Sequence, residues 1–353
     1  TVDFAATTLT ISSATTIGAS AANAVNLSVD ELVIDASNGD AFLTEASGLE
    51  LGVVNVSADD NLFLQLAAGN LTDANSDSNV VAANAELRVV AAGAAIGAAA
   101  NPINVNLAGG LTAVAATGAG GVFIDAPADV AIALVDAGPC VATIDAGVAI
   151  GGIADDGTAV ISAATVTLAA AVGGIGNTVA LETAAATALN ADTAAGDASD
   201  IVIDAVGDAV IGLINAGAGT VSLAATGAMN AVADNAVADV VAGTVNLSAA
   251  MGGIGTTTIV DVSIGTAFNA DTTDDADIVI DSLGDLPVGL IDAGLGNVTI
   301  DSTGAILDAA ADAVVDLVAT NATLTAATTL GTITNFALAE TGALDRACRA
   351  LNA

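Results

Sequence analysis

The sequence predicts an all-β fold, a parallel β-helix (β-solenoid) of about 18 coils, and three observations carry that expectation. An Ile-Gly pair recurs at Ile17-Gly18, Ile96-Gly97, Ile175-Gly176 and Ile254-Gly255, each 79 residues after the last. The segments around these pairs alternate apolar and polar residues, the period of a strand with one buried face. The side chains available for a core are small or β-branched: 54% of the chain is hydrophobic, most of it Ala and Val, and Trp and Tyr are absent.

Aligned on the Ile-Gly pairs, LRVVAAGAAIG (87–97), VTLAAAVGGIG (166–176) and VNLSAAMGGIG (245–255) superpose without a gap, and LTISSATTIG is offset by one residue. Leu87, Val166 and Val245 share one apolar position and Val89, Leu168 and Leu247 another, with Arg88, Thr167 and Asn246 between them on the wet face. The other half of the unit repeats as well. VFIDAPADVAIALVDAG (122–138) aligns with IVIDAVGDAVIGLINAG (201–217) and IVIDSLGDLPVGLIDAG (278–294), two short strands around a turn containing Asp or Gly.

Strand starts at Thr165, Asp200, Thr220 and Thr244, with a weaker strand over 179–189, give four coils of roughly 20 residues per 79-residue unit, a spacing typical of solenoids. Gly18, Gly97, Gly176 and Gly255 are then the corners, where a positive φ is needed. The expected organisation is one solenoid over 1–335 built of four units, and a tail over 336–353 that caps the last coil or joins subunits. In that tail Leu344, Ala347, Cys348 and Leu351 fall at helical spacing, so a short C-terminal helical cap is expected.

Composition removes whole classes of function. The chain has 40 acidic residues against three arginines, no lysine and no histidine, and a formal net charge of −37. Such a charge repels nucleic-acid phosphates and anionic lipid. No apolar run approaches the roughly 18 residues of a transmembrane helix. The first residue, Thr1, is preceded by no basic-then-apolar leader, which suggests a processed or excised portion of a longer product. Cys140 and Cys348 match no metal-ligand spacing and read as small buried thiols or as a disulfide.

Little of the usual catalytic chemistry is on offer. Without His or Lys, an active site has only carboxylates to work with, and the expectation is a chain that is not an enzyme. The densest acidic stretch, ADTTDDAD, holds Asp271, Asp274, Asp275 and Asp277. It reads as a solvated turn or as a calcium site, since hard cations take several oxygen ligands. Calcium is thus the one cofactor candidate. Asp35, Asp125, Asp204 and Asp281 each follow an isoleucine, and their recurrence suggests like charges along one face that salt would relieve. The stretch VGGIGNT (172–178) lacks both the dinucleotide fingerprint and the P-loop lysine, and reads as a corner.

The runs VTLAAAVGGIG, GTVSLAATGAM and GNLTDANSDSNVVAANAELRVVAAGAAIG resemble the repeats of filamentous haemagglutinin-type exoproteins, the large β-helical surface and secreted proteins of Gram-negative bacteria. The resemblance covers nearly all of 5–335 and rests on degenerate repeats. It implies a right-handed parallel β-helix, an extracellular or cell-surface address, and adhesion or matrix building. The reading that follows is a non-catalytic structural or adhesive rod, part of a fibre, filament or matrix. Its partners would be copies of itself or host and matrix glycans and proteins. The alternative is a carbohydrate-active enzyme or glycan-binding module using clustered carboxylates. Arg346, Arg349 and Cys348, at the one basic end of an acidic chain, are the candidate inter-subunit contacts, docking onto the acidic N-terminal end of another copy.

Overall fold

The computed structural model describes the chain apart from residues 37, 75–78, 116–119, 194–198, 311–314, 332–335, 339–343 and 349–353. It is a parallel β-solenoid of about 13 turns. The one helical element among the described residues is a single 3-10 turn, Ala21–Asn23. The chain divides into two compact units, Thr1–Gly173 and Gly174–Ala353.

In the first unit, strands Ala41–Glu45, Asn61–Leu66, Asn84–Val89 and Gly110–Ala115 stack in parallel, which superposes Leu43, Leu64, Leu87 and Ala113. All four are fully buried. A second column runs Ile103, Ile124, Ile144 and Leu168. Alternation within each strand makes this arrangement: Leu87 and Val89 point in and Arg88 points out, and Val166 and Leu168 flank an outward Thr167. A solenoid repeats one short inward pattern at every turn, so the core is a set of aliphatic columns. Removing a Leu or Ile side chain from water in such a column contributes about 1.5–3 kcal/mol.

The second unit follows the same rule. Ile203, Leu223, Leu247 and Ala270 form one column, and Ile280, Ile300 and Leu324 another. Phe268 is fully buried between Val245 and Val288, the largest side chain of that core.

Three expectations need correction. The turns number about 13 and not 18, because their length varies from 18 residues, as between Asn26 and Thr44, to 24 between Ser222 and Asn246 and 26 between Asn84 and Gly110. The corners take up the difference: the irregular stretch 232–239 lengthens the step from Ile214 to Val240.

The 79-residue copy is also not a whole number of turns. The column through Ile201 continues as Val221, Val245, Phe268 and Val288. Ile278, the counterpart of Ile201 in the next copy, instead continues the column of Ala209, Met229 and Ile254. A copy is therefore three turns and part of a fourth, and equivalent residues land on different sides.

The helix expected near the C-terminus is a strand. Leu344–Cys348 pairs in parallel with Asn321–Ala326. The edge of that strand offers a full row of backbone donors and acceptors, and an extended segment satisfies it where a helix cannot.

Candidate functional site

The four Ile-Gly pairs occupy one local geometry. Each isoleucine is buried, and its N–H donates to the carbonyl of Asp40, Gly121, Asp200 or Asp277 at 2.9–3.0 Å. Each glycine has a positive φ: +73° at Gly18, +69° at Gly97, +71° at Gly176 and +69° at Gly255. A Cβ there would run into the carbonyl oxygen of Phe42, Phe123, Val202 or Val279 respectively, each in the turn that follows. Only glycine fits such a slot without displacing backbone.

Many acidic and amide side chains bind the backbone of the following turn. Asp40 Oδ1 accepts the Asn61 N–H at 2.9 Å, Asp200 Oδ1 that of Thr220 at 2.7 Å, Asp208 Oδ1 that of Ala228 at 2.9 Å, and Asp285 Oδ1 that of Ala305 at 2.7 Å. An acceptor just before a strand thus satisfies the first donor of the next one, a clamp repeated from turn to turn.

Within the acidic stretch 270–277, Asp275 and Asp277 bind the turn that follows and Asp274 the turn before. Asp274 Oδ2 accepts the Gly252 N–H at 2.9 Å, and Asp275 Oδ1 that of Leu295 at 3.0 Å. Asp277 Oδ1 accepts both the backbone and side-chain N–H groups of Asn297, at 2.7 and 2.9 Å. Asp271 points outward from strand Val260–Thr272, where partial burial and the Asp292 charge one turn on push its carboxyl above the usual range. The four carboxylates serve four separate places, and among the described residues no group of three or more Cys, Asp or Glu is placed to hold a metal.

The recurrent Ile-Asp residues do not line one face either. Asp204 stacks over Ala224, Ser248 and then Asp271, whereas Asp281 stands between Asp261 and Asp301. Like charges meet between neighbouring turns instead. Burial raises Asp125, with Asp145 in register beside it adding to the effect. Burial likewise raises Asp281, helped by Asp301 and Asp261.

Several grooves open among the described residues, and two of them bring carboxylate side chains together with a pair of asparagines. One in the second unit, of about 440 Å³, is lined by Val202, Asp204, Asn246, Asn269, Asp271 and Leu290. Along it Asn269 donates to Asn246 at 2.9 Å and Asn246 to Ser222 at 3.2 Å. The other, of about 650 Å³ in the first unit, is lined by Phe42, Asn61, Phe63, Asn84, Glu86 and Thr112. Phe42 and Phe63 are in register, half-buried on the outer face, and followed in the same column by Glu86 and Thr112. Sequence reasoning missed this pair; its only signal is two aromatics 21 residues apart at matching strand positions.

Of the candidate inter-subunit contacts, Arg346 and Cys348 lie on strand Leu344–Cys348, and Arg349 lies outside the described residues. Cys140 carries a free, half-buried thiol. No described helix is long and apolar enough to cross a membrane. No protein-family model matches the sequence, and comparison with curated proteins and with solved structures finds no match. The fold defines the chain as a β-solenoid.

Proposed function

We propose that this chain is a non-catalytic structural and adhesive element, a length of solenoid rod in an extracellular or surface fibre, filament or matrix of the filamentous haemagglutinin type. The observation that carries the reading is the separation of carboxylates in the grooves. Asp204 and Asp271 line one groove but stand three turns apart, which at about 4.8 Å per turn is roughly 14 Å. Acid pairs that hydrolyse glycosidic bonds stand about 5–9.5 Å apart, and the acid that does neighbour Asp271, Asp292 one turn on, is not among the residues that line the groove. The other groove holds one carboxylate, Glu86, which is ion-paired with Arg88.

The remaining acids support the same reading. Those that clamp the next turn serve the fold, and the rest give a negative surface suited to an extended, soluble rod. Calcium then acts as one counterion among others, with no defined site.

Incubating the chain with a panel of polysaccharides, followed by assay of reducing ends and of unsaturated products, tests the non-catalytic part. No turnover is expected. Product release that Asp271→Asn or Asp204→Asn abolishes would overturn the reading. Electron microscopy at low and high salt tests the structural part, with filaments or discrete rods as the expected particles and compact globular particles as the contrary result.

A further inference from the structure

The outer face of Ala41–Glu45, Asn61–Leu66, Asn84–Val89 and Gly110–Ala115 differs from the rest of the described surface. It sets two phenylalanines side by side in a protein with six, and aromatic residues are only 2% of the chain. Neighbouring turns are about 4.8 Å apart, so Phe42 and Phe63 form a continuous apolar platform. Beside them runs a ladder of amides. Asn61 Nδ2 donates to Asp40 Oδ1 at 3.0 Å, Asn84 Nδ2 donates to Asn61 Oδ1 at 2.7 Å, and Asn84 Oδ1 accepts the Gly110 N–H at 2.7 Å.

Each of these NH₂ groups carries two N–H donors and each carbonyl oxygen two lone pairs, so one of each on Asn61 and Asn84 is left for a ligand. Their orientation is fixed by the turns on either side. Next in the phenylalanine column, Glu86 ion-pairs with Arg88, the one arginine whose side chain lies among the described residues.

We propose that this groove binds a neutral, hydroxyl-rich glycan, a sugar ring packing its C–H face on Phe42 and Phe63 while its hydroxyls bond to Asn61, Asn84 and Glu86. The inference deepens the adhesive reading above and rests on it. An aromatic platform with fixed polar groups at its edge matches a sugar ring, which is apolar on its faces and polar around its rim. Charge selects the neutral class. The net charge of −37 repels uronates, sulfates and phosphates, and Arg88 is already neutralised by Glu86. A surface built for acidic glycans would present unpaired cations, and the amides offer none.

The test uses the full 353-residue chain and isothermal titration with neutral hexasaccharides (β-1,4-glucan, α-1,4-glucan, β-1,4-N-acetylglucosamine and galactan), with hexagalacturonate as the charged counterpart. At least one neutral sugar is expected to bind with sub-millimolar affinity, and hexagalacturonate is not. Phe63→Ala should weaken binding at least tenfold, Phe42→Ala/Phe63→Ala should abolish it, and Phe63→Trp should retain it. Both phenylalanines are outward, so an unchanged melting temperature shows that the variants fold.

Binding that survives the double alanine variant would overturn the proposal, as would preference for the uronate or failure of every neutral sugar. Sedimentation of the same variants separates a second class of occupant. Dissociation of an oligomer by Phe42→Ala/Phe63→Ala would make the platform a contact between copies and would also overturn the glycan site. Rods or filaments without sugar binding would sink this site and leave the structural reading standing.

Discussion

Asp239 and Asp261 bond each other's backbone across one turn: the Asp239 carboxylate accepts the Asp261 N–H at 2.8 Å, and the Asp239 N–H donates to the Asp261 carbonyl at 2.8 Å. Both side chains are buried, at 5% and 1% exposure. Asp261 Oδ2 has no hydrogen-bond partner, and Asp234 and Asp281 add negative charge nearby. No cation among the described residues offsets them.

That relationship predicts how stability depends on pH. Burial, with the Asp261 and Asp234 charges adding to it, pushes Asp239 up to about 7. A carboxyl raised in the folded state holds its proton more tightly there than in the unfolded chain. Its stabilisation is therefore complete below the unfolded value near 4 and is lost as pH rises through about 7. The melting temperature should rise as pH falls from 8 to 5. General charge repulsion acts in the same direction, so Asp239→Asn isolates the local part. The amide keeps an acceptor for the Asp261 N–H and carries no charge, and it should stabilise the chain at pH 8 by about 2 kcal/mol and flatten the curve between pH 5 and 8. A variant with the wild-type slope would show that the corner does not titrate.

Corner glycines should separate into two energetic classes. Gly255 has φ +69° and a carbonyl in the way of a Cβ, whereas Gly207 has φ +103° and open space around it. Alanine at Gly207 pays only backbone strain, about 1–2 kcal/mol. Alanine at Gly255 adds a clash with the backbone of the next turn and should lose about 3 kcal/mol or more. Denaturant melts of the two variants check the order, and equal losses would contradict the packing described for Gly255.

The solenoid and its inward residues were legible in the sequence because alternation is local: the apolar positions of 87–89, 166–168 and 245–247 identify themselves without knowledge of neighbouring turns. What depends on register was not legible. Turn length is set by irregular corners such as 232–239, so the coil count came out high and the offset between copies, seen in Ile201 and Ile278, stayed hidden. The Phe42–Phe63 and Asp239–Asp261 pairs are 21 and 22 residues apart and share no motif. The repeated Ile-Asp step suggested one charged face, yet a copy of three turns and a fraction moves Asp204 and Asp281 onto different columns.

Leu64 lies between Leu43 and Leu87 in a fully buried column. In a solenoid each turn packs mainly on the turns next to it, so damage there should stay local. Leu64→Ala should destabilise by about 2–5 kcal/mol and raise hydrogen exchange in 41–45 and 85–89 while leaving 142–146 protected. Uniform loss of protection through the first unit would mean that the turns melt together.

The acids of 270–277 predict a response to salt without a response to calcium as such. Because Asp274, Asp275 and Asp277 accept backbone N–H groups from three separate partners, a calcium ion would have to compete for oxygens already in use. The net charge nevertheless makes the folded chain sensitive to screening, which acts over about 8–10 Å at physiological ionic strength. Sodium chloride and calcium chloride at equal ionic strength should therefore raise the melting temperature by similar amounts, and a chelator in constant salt should leave it unchanged. Asp277→Ala should lower stability by about 1–2 kcal/mol, the loss of an acceptor shared by two Asn297 donors. The same loss is expected with and without calcium. A calcium-specific increase that Asp277→Ala or Asp274→Ala removes would instead establish a metal site at this corner.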